Sequence, residues 1–194
     1  MFLAFILATV LGTVSHELGH YFVAQYLGYE ADLHYNGSGI VQAPEICMAS
    51  DGFWIAAGGP IQTLLTGSIG FLVIFINRKK YYSANELSVG QWFWIFIALF
   101  WLRQTTILST WIGGYWLNGY FSHGGDEVKL AKDILLPDWT ILVGTGLIGF
   151  GVLGWIAFKV VPLGQRFTFV LAGLFGGISG YFLWFKVVGR MLMP

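Results

Sequence analysis

The chain has 194 residues, of which 56% are hydrophobic and only 10% charged, with a formal net charge of zero. Soluble domains carry roughly 25% charged residues, so this composition excludes an ordinary soluble domain and points to an integral, multi-pass membrane protein. Ten scattered Lys and Arg make no basic stripe for phosphates, which argues against nucleic-acid binding, and a single cysteine, Cys47, excludes an intrachain disulfide framework or a cysteine-based zinc site.

A helix needs about 20 apolar residues to cross the hydrocarbon core. The first such run is Phe2–Leu27, which has no basic region ahead of it and no convincing cleavage site, and is therefore expected to be retained. Within it lies TVSHELGHYF, Thr13 to Phe22. Ionisable side chains are costly at membrane depth, so they are functional candidates there by default. Positions four apart share one helix face, which lets His16 and His20 present imidazole nitrogens to a single metal ion. In this H-E-x-x-H arrangement the histidines bind zinc and Glu17 takes a proton from the attacking water. Gly19, without a side chain, leaves room beside the metal or lets another backbone come close.

The polar stretch that follows, ADLHYNGSGIVQAPEICMASDG, is broken by glycines and a proline. Its extended-looking pieces, such as Ser38–Gln42, predict a small hairpin or a partly re-entrant loop. His34 lies in this stretch and reads as a solvated loop residue before it reads as a gate or spare ligand.

The second span is Phe53–Ile76, with Gly58-Gly59-Pro60 inside it, and the third is Val89–Leu117, interrupted by Arg103-Gln104-Thr105-Thr106. That interruption predicts a tilt, a kink or a split. Arg103 either faces a water-filled cavity and pairs with Asp126, Glu127 or Asp133, or marks a helix end and snorkels. The remaining spans are Ile141–Val161 and Phe167–Val188; in the latter, Gly173, Gly176, Gly177 and Gly180 predict close helix packing.

The expected fold is thus an all-α polytopic membrane protein with five transmembrane helices, or six if the third span splits, and a hairpin or re-entrant loop after the first. It reads as one membrane-embedded domain over 1–194, with a core at about 1–136 and accessory helices at about 139–190. Lys and Arg cluster at Arg78–Lys80 and at Lys159 and Arg166, whereas Gly28–Gly52 has none, which places the N-terminus in the cytoplasm.

A catalytic zinc site has three protein ligands and an open position. The third ligand has to come from elsewhere in the chain, and HGGDEVKLAKDILLP, His123 to Pro137, offers candidates; this topology puts it on the same side of the membrane as the end of the first helix. Asp126 is preferred, because Gly124 and Gly125 give it a flexible approach and a carboxylate suits a helix N-terminus. Glu127 and His123 remain alternatives, and Asp133 is a further acid within reach.

HELGH in the first membrane helix, AAGGPIQTLL (Ala56–Leu65) in the next and an acidic motif further on together resemble the site-2 protease family of intramembrane zinc metalloproteases. The likeness covers roughly Thr13 to Asp133. It implies one Zn²⁺ per chain held by His16, His20 and Asp126, Glu17 as catalytic base, and a substrate protein with a transmembrane helix, met within the lipid bilayer. It also implies a substrate-facing surface at Gly59, Pro60 and Thr63. Two features depart from the family pattern: Thr63 stands where an asparagine is usual, and Gly-Gly precedes Asp126 instead of following it. No interval between spans is long enough for a PDZ domain. On this reading an opened substrate strand pairs with Ser38–Gln42 by β-augmentation. The alternative function is a non-proteolytic membrane scaffold or chaperone that keeps zinc for structure.

Overall fold

The computed structural model describes residues 1–193. Five helical stretches are long and apolar enough to cross a membrane: Phe2–Tyr26, Asp51–Ile76, Val89–Asn118, Thr140–Val160 and Leu163–Leu192. In chain order the elements are α1 (Phe2–Tyr26), β1 (Glu30–His34), β2 (Gly37–Gln42), α2 (Asp51–Ile76), a short α3 (Arg78–Tyr82), α4 (Val89–Ala98), α5 (Leu102–Asn118), α6 (Asp126–Asp133), α7 (Thr140–Trp155), α8 (Leu163–Phe182) and a last turn, α9 (Gly189–Leu192).

The interrupted third span does not split. α4 and α5 are joined by a single 3₁₀ turn, Leu99–Trp101, directly before Arg103. The fourth span ends in a π-type turn, Ile156–Val160, and the fifth carries one at Leu183–Val188 before α9. The polar stretch after α1 forms an antiparallel hairpin, with Ala31 opposite Ile40, His34 opposite Gly37 and a bulge near Glu30. Its tip is tied to the far end of the chain, since Trp184 Nε1 donates to the Tyr35 carbonyl at 2.7 Å and the Tyr35 N–H to the Met193 carbonyl at 3.2 Å.

The distribution of polarity is that of a protein in lipid. Leu7, Leu11, Phe22, Leu65, Ile69, Ile148 and Phe175 are exposed on the helix exteriors, while His16, His20, Thr63, Gln104, Thr105 and Glu127 are buried. An apolar surface with polar groups inside is stable where the surroundings are hydrocarbon and buried polar groups find partners. The main apolar core joins Phe5, Ile74, Ile95, Ala98, Trp101, Ile156, Val160 and Phe169.

Four packings set the position of the polar interior: α1 against α2, α2 against α4, α2 against α6, and α5 against α7. The first is backbone on backbone. A Cβ placed on Gly19 would sit 2.5 Å from the Gly58 carbonyl oxygen, and one on Gly58 would meet the Gly19 carbonyl in turn. Small residues permit such approach between membrane helices, where dispersion contacts substitute for the absent hydrophobic drive. The HELGH and GGP motifs therefore meet at their glycines, and of the two uses expected for Gly19 the structure realises close backbone approach. α8 joins α1 on the same principle, with Gly176 and Gly180 set against the Phe2 and Ile6 carbonyls.

Candidate metal centre

His16 and His20 lie one turn apart on the face of α1 that turns toward α2, and both are buried. Each ring is fixed by its Nδ1. His20 Nδ1 lies 2.7 Å from the Ile55 carbonyl oxygen on α2, an atom that only accepts, so Nδ1 carries the proton and Nε2 the lone pair. His16 Nδ1 lies 2.9 Å from Thr63 Oγ1. Its tautomer is set at the other end of the ring, where Arg103 Nη2 approaches Nε2 at 2.8 Å. A guanidinium only donates, so His16 Nε2 accepts and its Nδ1–H donates to Thr63. The Thr63 hydroxyl donates in turn to Gln62 Oε1 at 3.4 Å.

The third member comes from α6. Gly125, with φ of +108°, precedes the first helical residue, a backbone conformation that glycine adopts without strain. This explains the Gly-Gly ahead of Asp126: the chain turns sharply there and the carboxylate emerges at the helix N-terminus, where the helix dipole favours it. α6 is held by Leu130, which packs with Ala56 and Ala57 of α2, and by Val128, which packs with Leu108 and Leu142. Asp126 Oδ2 ends 3.1 Å from His16 Nε2 and 3.2 Å from His20 Nε2, and the two Nε2 atoms are 3.1 Å apart. Asp126 would bind a metal ion as the carboxylate.

Three ligand atoms thus form a nearly equilateral triangle, and with neutral rings all three are acceptors. Tetrahedral zinc, with bonds of about 2.0–2.2 Å, sets its ligand atoms about 3.3–3.6 Å apart, slightly wider than the edges of 3.1–3.2 Å seen. The cradle before the triangle is kept open by Gly59: a Cβ there would fall 2.6 Å from His16 Nε2 and nearer still to His20 Nε2. His16, His20 and Asp126 thus form a group that could hold a metal ion, with the Gly59 cradle open before it.

The other sequence candidates fall around this centre. Glu17 is half-buried on α1 and interacts electrostatically with His20, Arg103 and Asp126. Pro60 is buried in α2 after Gly59. Thr63, for which the resemblance implied a substrate-facing role, is buried and engaged with His16. Glu127 is buried but outside the triangle, with Oε1 lacking a partner. His123 is exposed and bonded to Asp138 at 2.9 Å, which holds the Asp138 carboxyl below its usual range. His34 closes β1 opposite Gly37, away from the cluster. Among the described residues Arg103 has no acid within 4.0 Å, and its Nη2 turns to His16. That contact and the Ile55 carbonyl are the functional groups sequence reasoning did not place, since neither follows from any spacing along the chain.

The Thr63 contact carries an expectation. Groups that orient a metal-binding histidine typically contribute 10–100-fold to metal affinity, and Thr63→Val removes the acceptor while keeping the shape. Zinc affinity in detergent, measured by chelator competition, is expected to fall about 10–100-fold for Thr63→Val and to stay near wild type for Thr63→Ser.

Comparison with protein-family models, with curated proteins and with solved structures finds no match to this chain.

Proposed function

We propose that this protein is an intramembrane zinc metalloprotease, similar to the site-2 proteases, that hydrolyses peptide bonds of membrane-spanning or membrane-tethered proteins. The observation that carries the reading is the triangle of His16 Nε2, His20 Nε2 and Asp126 Oδ2 with edges of 3.1–3.2 Å, assembled among spans long enough to cross a bilayer.

When bound, zinc supplies Lewis acidity toward the scissile carbonyl and lowers the pKa of a water toward about 7. His16 and His20 hold their lone pairs toward one point because Thr63 and the Ile55 carbonyl occupy their other nitrogens. Asp126 adds the negative charge that makes a dication affordable at this depth. Glu17, next to His16 in the chain but turned about 100° around the helix, takes a proton from the attacking water and gives it to the departing amine nitrogen. A substrate helix hides its carbonyls in its own hydrogen bonds and has to unwind before attack. The hairpin has only two strands, and Gly37–Gln42 gives the opened strand a template for pairing.

Glu17→Gln tests the reading. The variant is expected to keep one zinc per chain and to lose about 10²–10⁴-fold in cleavage of a membrane-tethered reporter, the usual contribution of a general base. Undiminished cleavage by the variant would sink the proposal. A wild-type protein that binds zinc with a closed fourth position and cuts nothing would assign the site to a structural scaffold instead.

A further inference from the structure

The hydrolytic reading leaves one charged group in the site without a task. Arg103 stands at the start of α5 inside a membrane-spanning stretch, directly after the 3₁₀ turn Leu99–Trp101. That turn is anchored: Leu99 and Trp101 are buried, and a Cβ on Gly67 of α2 would lie 2.8 Å from the Trp101 ring. A cation at this depth is costly without a counter-charge. Among the described residues, however, the ion pairs closer than 4.0 Å join His16 and His20 to Asp126, and His123 and Lys132 to Asp138, and none includes Arg103. Its Nε is buried with no partner, and its Nη2 points at His16 Nε2 from 2.8 Å.

That geometry is a poor structural bond and a good catalytic one. His16 Nε2 offers a single lone pair, and the triangle with His20 and Asp126 directs the same lone pair at a metal ion. A metal ion held by that lone pair would free the Arg103 N–H from Nε2, leaving a donor next to His16 and within electrostatic reach of Glu17. What a guanidinium next to a zinc centre and a proton acceptor can bind is an oxygen that gains negative charge.

We propose that Arg103 is a second electrophile of the site, donating to the substrate carbonyl oxygen as the peptide bond is attacked. The inference rests on the hydrolytic reading. In the step, the water oxygen bonds to the carbonyl carbon, the water's proton goes to Glu17, and the carbonyl π pair moves onto the oxygen that Arg103 holds. On collapse that pair re-forms the carbonyl, the C–N bond breaks with its electrons on nitrogen, and Glu17 returns the proton to the amine. Preorganised donors of this kind do most where charge develops and water is excluded.

The test uses the full chain in detergent, loaded with zinc, and a peptide phosphonate as a tetrahedral anionic probe. Arg103→Ala is expected to bind zinc at least as tightly as wild type, because a neighbouring cation has gone. It is expected to bind the phosphonate about 10²–10³-fold more weakly, and to lose a similar factor in kcat with KM within a few-fold. Arg103→Lys should recover part of both losses, and Arg103→Gln, which keeps an N–H but no charge, should recover little. If Arg103→Ala lowers the melting temperature, Arg103→Gln decides the same question. Weaker zinc binding by these variants would show that Arg103 only holds His16, and unchanged phosphonate affinity would equally overturn the proposal. A wild-type protein that binds zinc and phosphonate but cleaves no reporter would remove the protease reading and leave Arg103 as the anion-binding group. Binding of neither would remove both.

Discussion

Asp126→Ala is expected to reduce zinc affinity by more than about 100-fold, beyond the 10–100-fold range of groups that only orient a ligand. With the metal gone, cleavage of a membrane reporter should fall further than in Glu17→Gln, which keeps the ion. In the proposed site Asp126 supplies both a ligand atom and a counter-charge. Its Oδ2 is 3.1–3.2 Å from two nitrogens whose other ring positions are already bonded to Thr63 and the Ile55 carbonyl. Removing it leaves two neutral imidazoles facing a dication at membrane depth, and two ligands do not make the usual three-ligand catalytic site. The two alternative ligands serve as controls. His123→Ala and Glu127→Gln should keep zinc, since His123 is exposed beside Asp138 and Glu127 lies outside the triangle. Chelator competition on the four proteins separates the cases. Retention of zinc by Asp126→Ala together with its loss from Glu127→Gln would transfer the third ligand to the next residue.

The parts of this centre that could be read in the sequence are those carried by short-range periodicity. His16 and His20 are four apart on a helix that composition alone places in a membrane, so their shared face follows from helix geometry. Asp126 is reachable because a chain with so few acids offers few choices, and because a carboxylate after Gly-Gly at a helix start has a physical reason to be there. The span boundaries follow from hydropathy, within the few residues by which helix ends vary.

What the sequence does not display depends on how helices face each other. Thr63, which only the resemblance marks as a substrate contact, is buried against His16, because α1 and α2 touch at Gly19 and Gly58 and bring residue 63 alongside residue 16. Arg103 suggests an acid partner on charge grounds. It meets His16 because the α4–α5 turn is fixed against Gly67 of α2, a placement no pattern within the third span encodes. The Ile55 carbonyl is invisible for a simpler reason: every residue has one. The π-type turns at Ile156–Val160 and Leu183–Val188 likewise leave no mark in an apolar run.

Gly59→Ala is the smallest change expected to close the site. The added methyl carbon would lie 2.6 Å from His16 Nε2 and 2.7 Å from its Cε1, and closer again to His20 Nε2, where real contacts do not occur. α2 cannot retreat easily, because Gly58 is set backbone to backbone against Gly19 in the same turn. The rings cannot rotate away without giving up the Nδ1 bonds to Thr63 and Ile55, and a buried N–H left unsatisfied costs about 1–3 kcal/mol. Either response opens the triangle, so zinc affinity should fall by more than about 100-fold, exceeding the loss from an orienting group. Overpacking should also lower stability by about 1–3 kcal/mol, against alanine's helix preference over glycine of about 1 kcal/mol. Gly12→Ala, on the same helix as the histidines but with open space around it, should leave zinc binding unchanged. Thermal melting in detergent and chelator competition on both variants read the two effects separately. A Gly59→Ala protein that melts like wild type and binds zinc as tightly would mean that the space before the two Nε2 atoms is not where the metal sits.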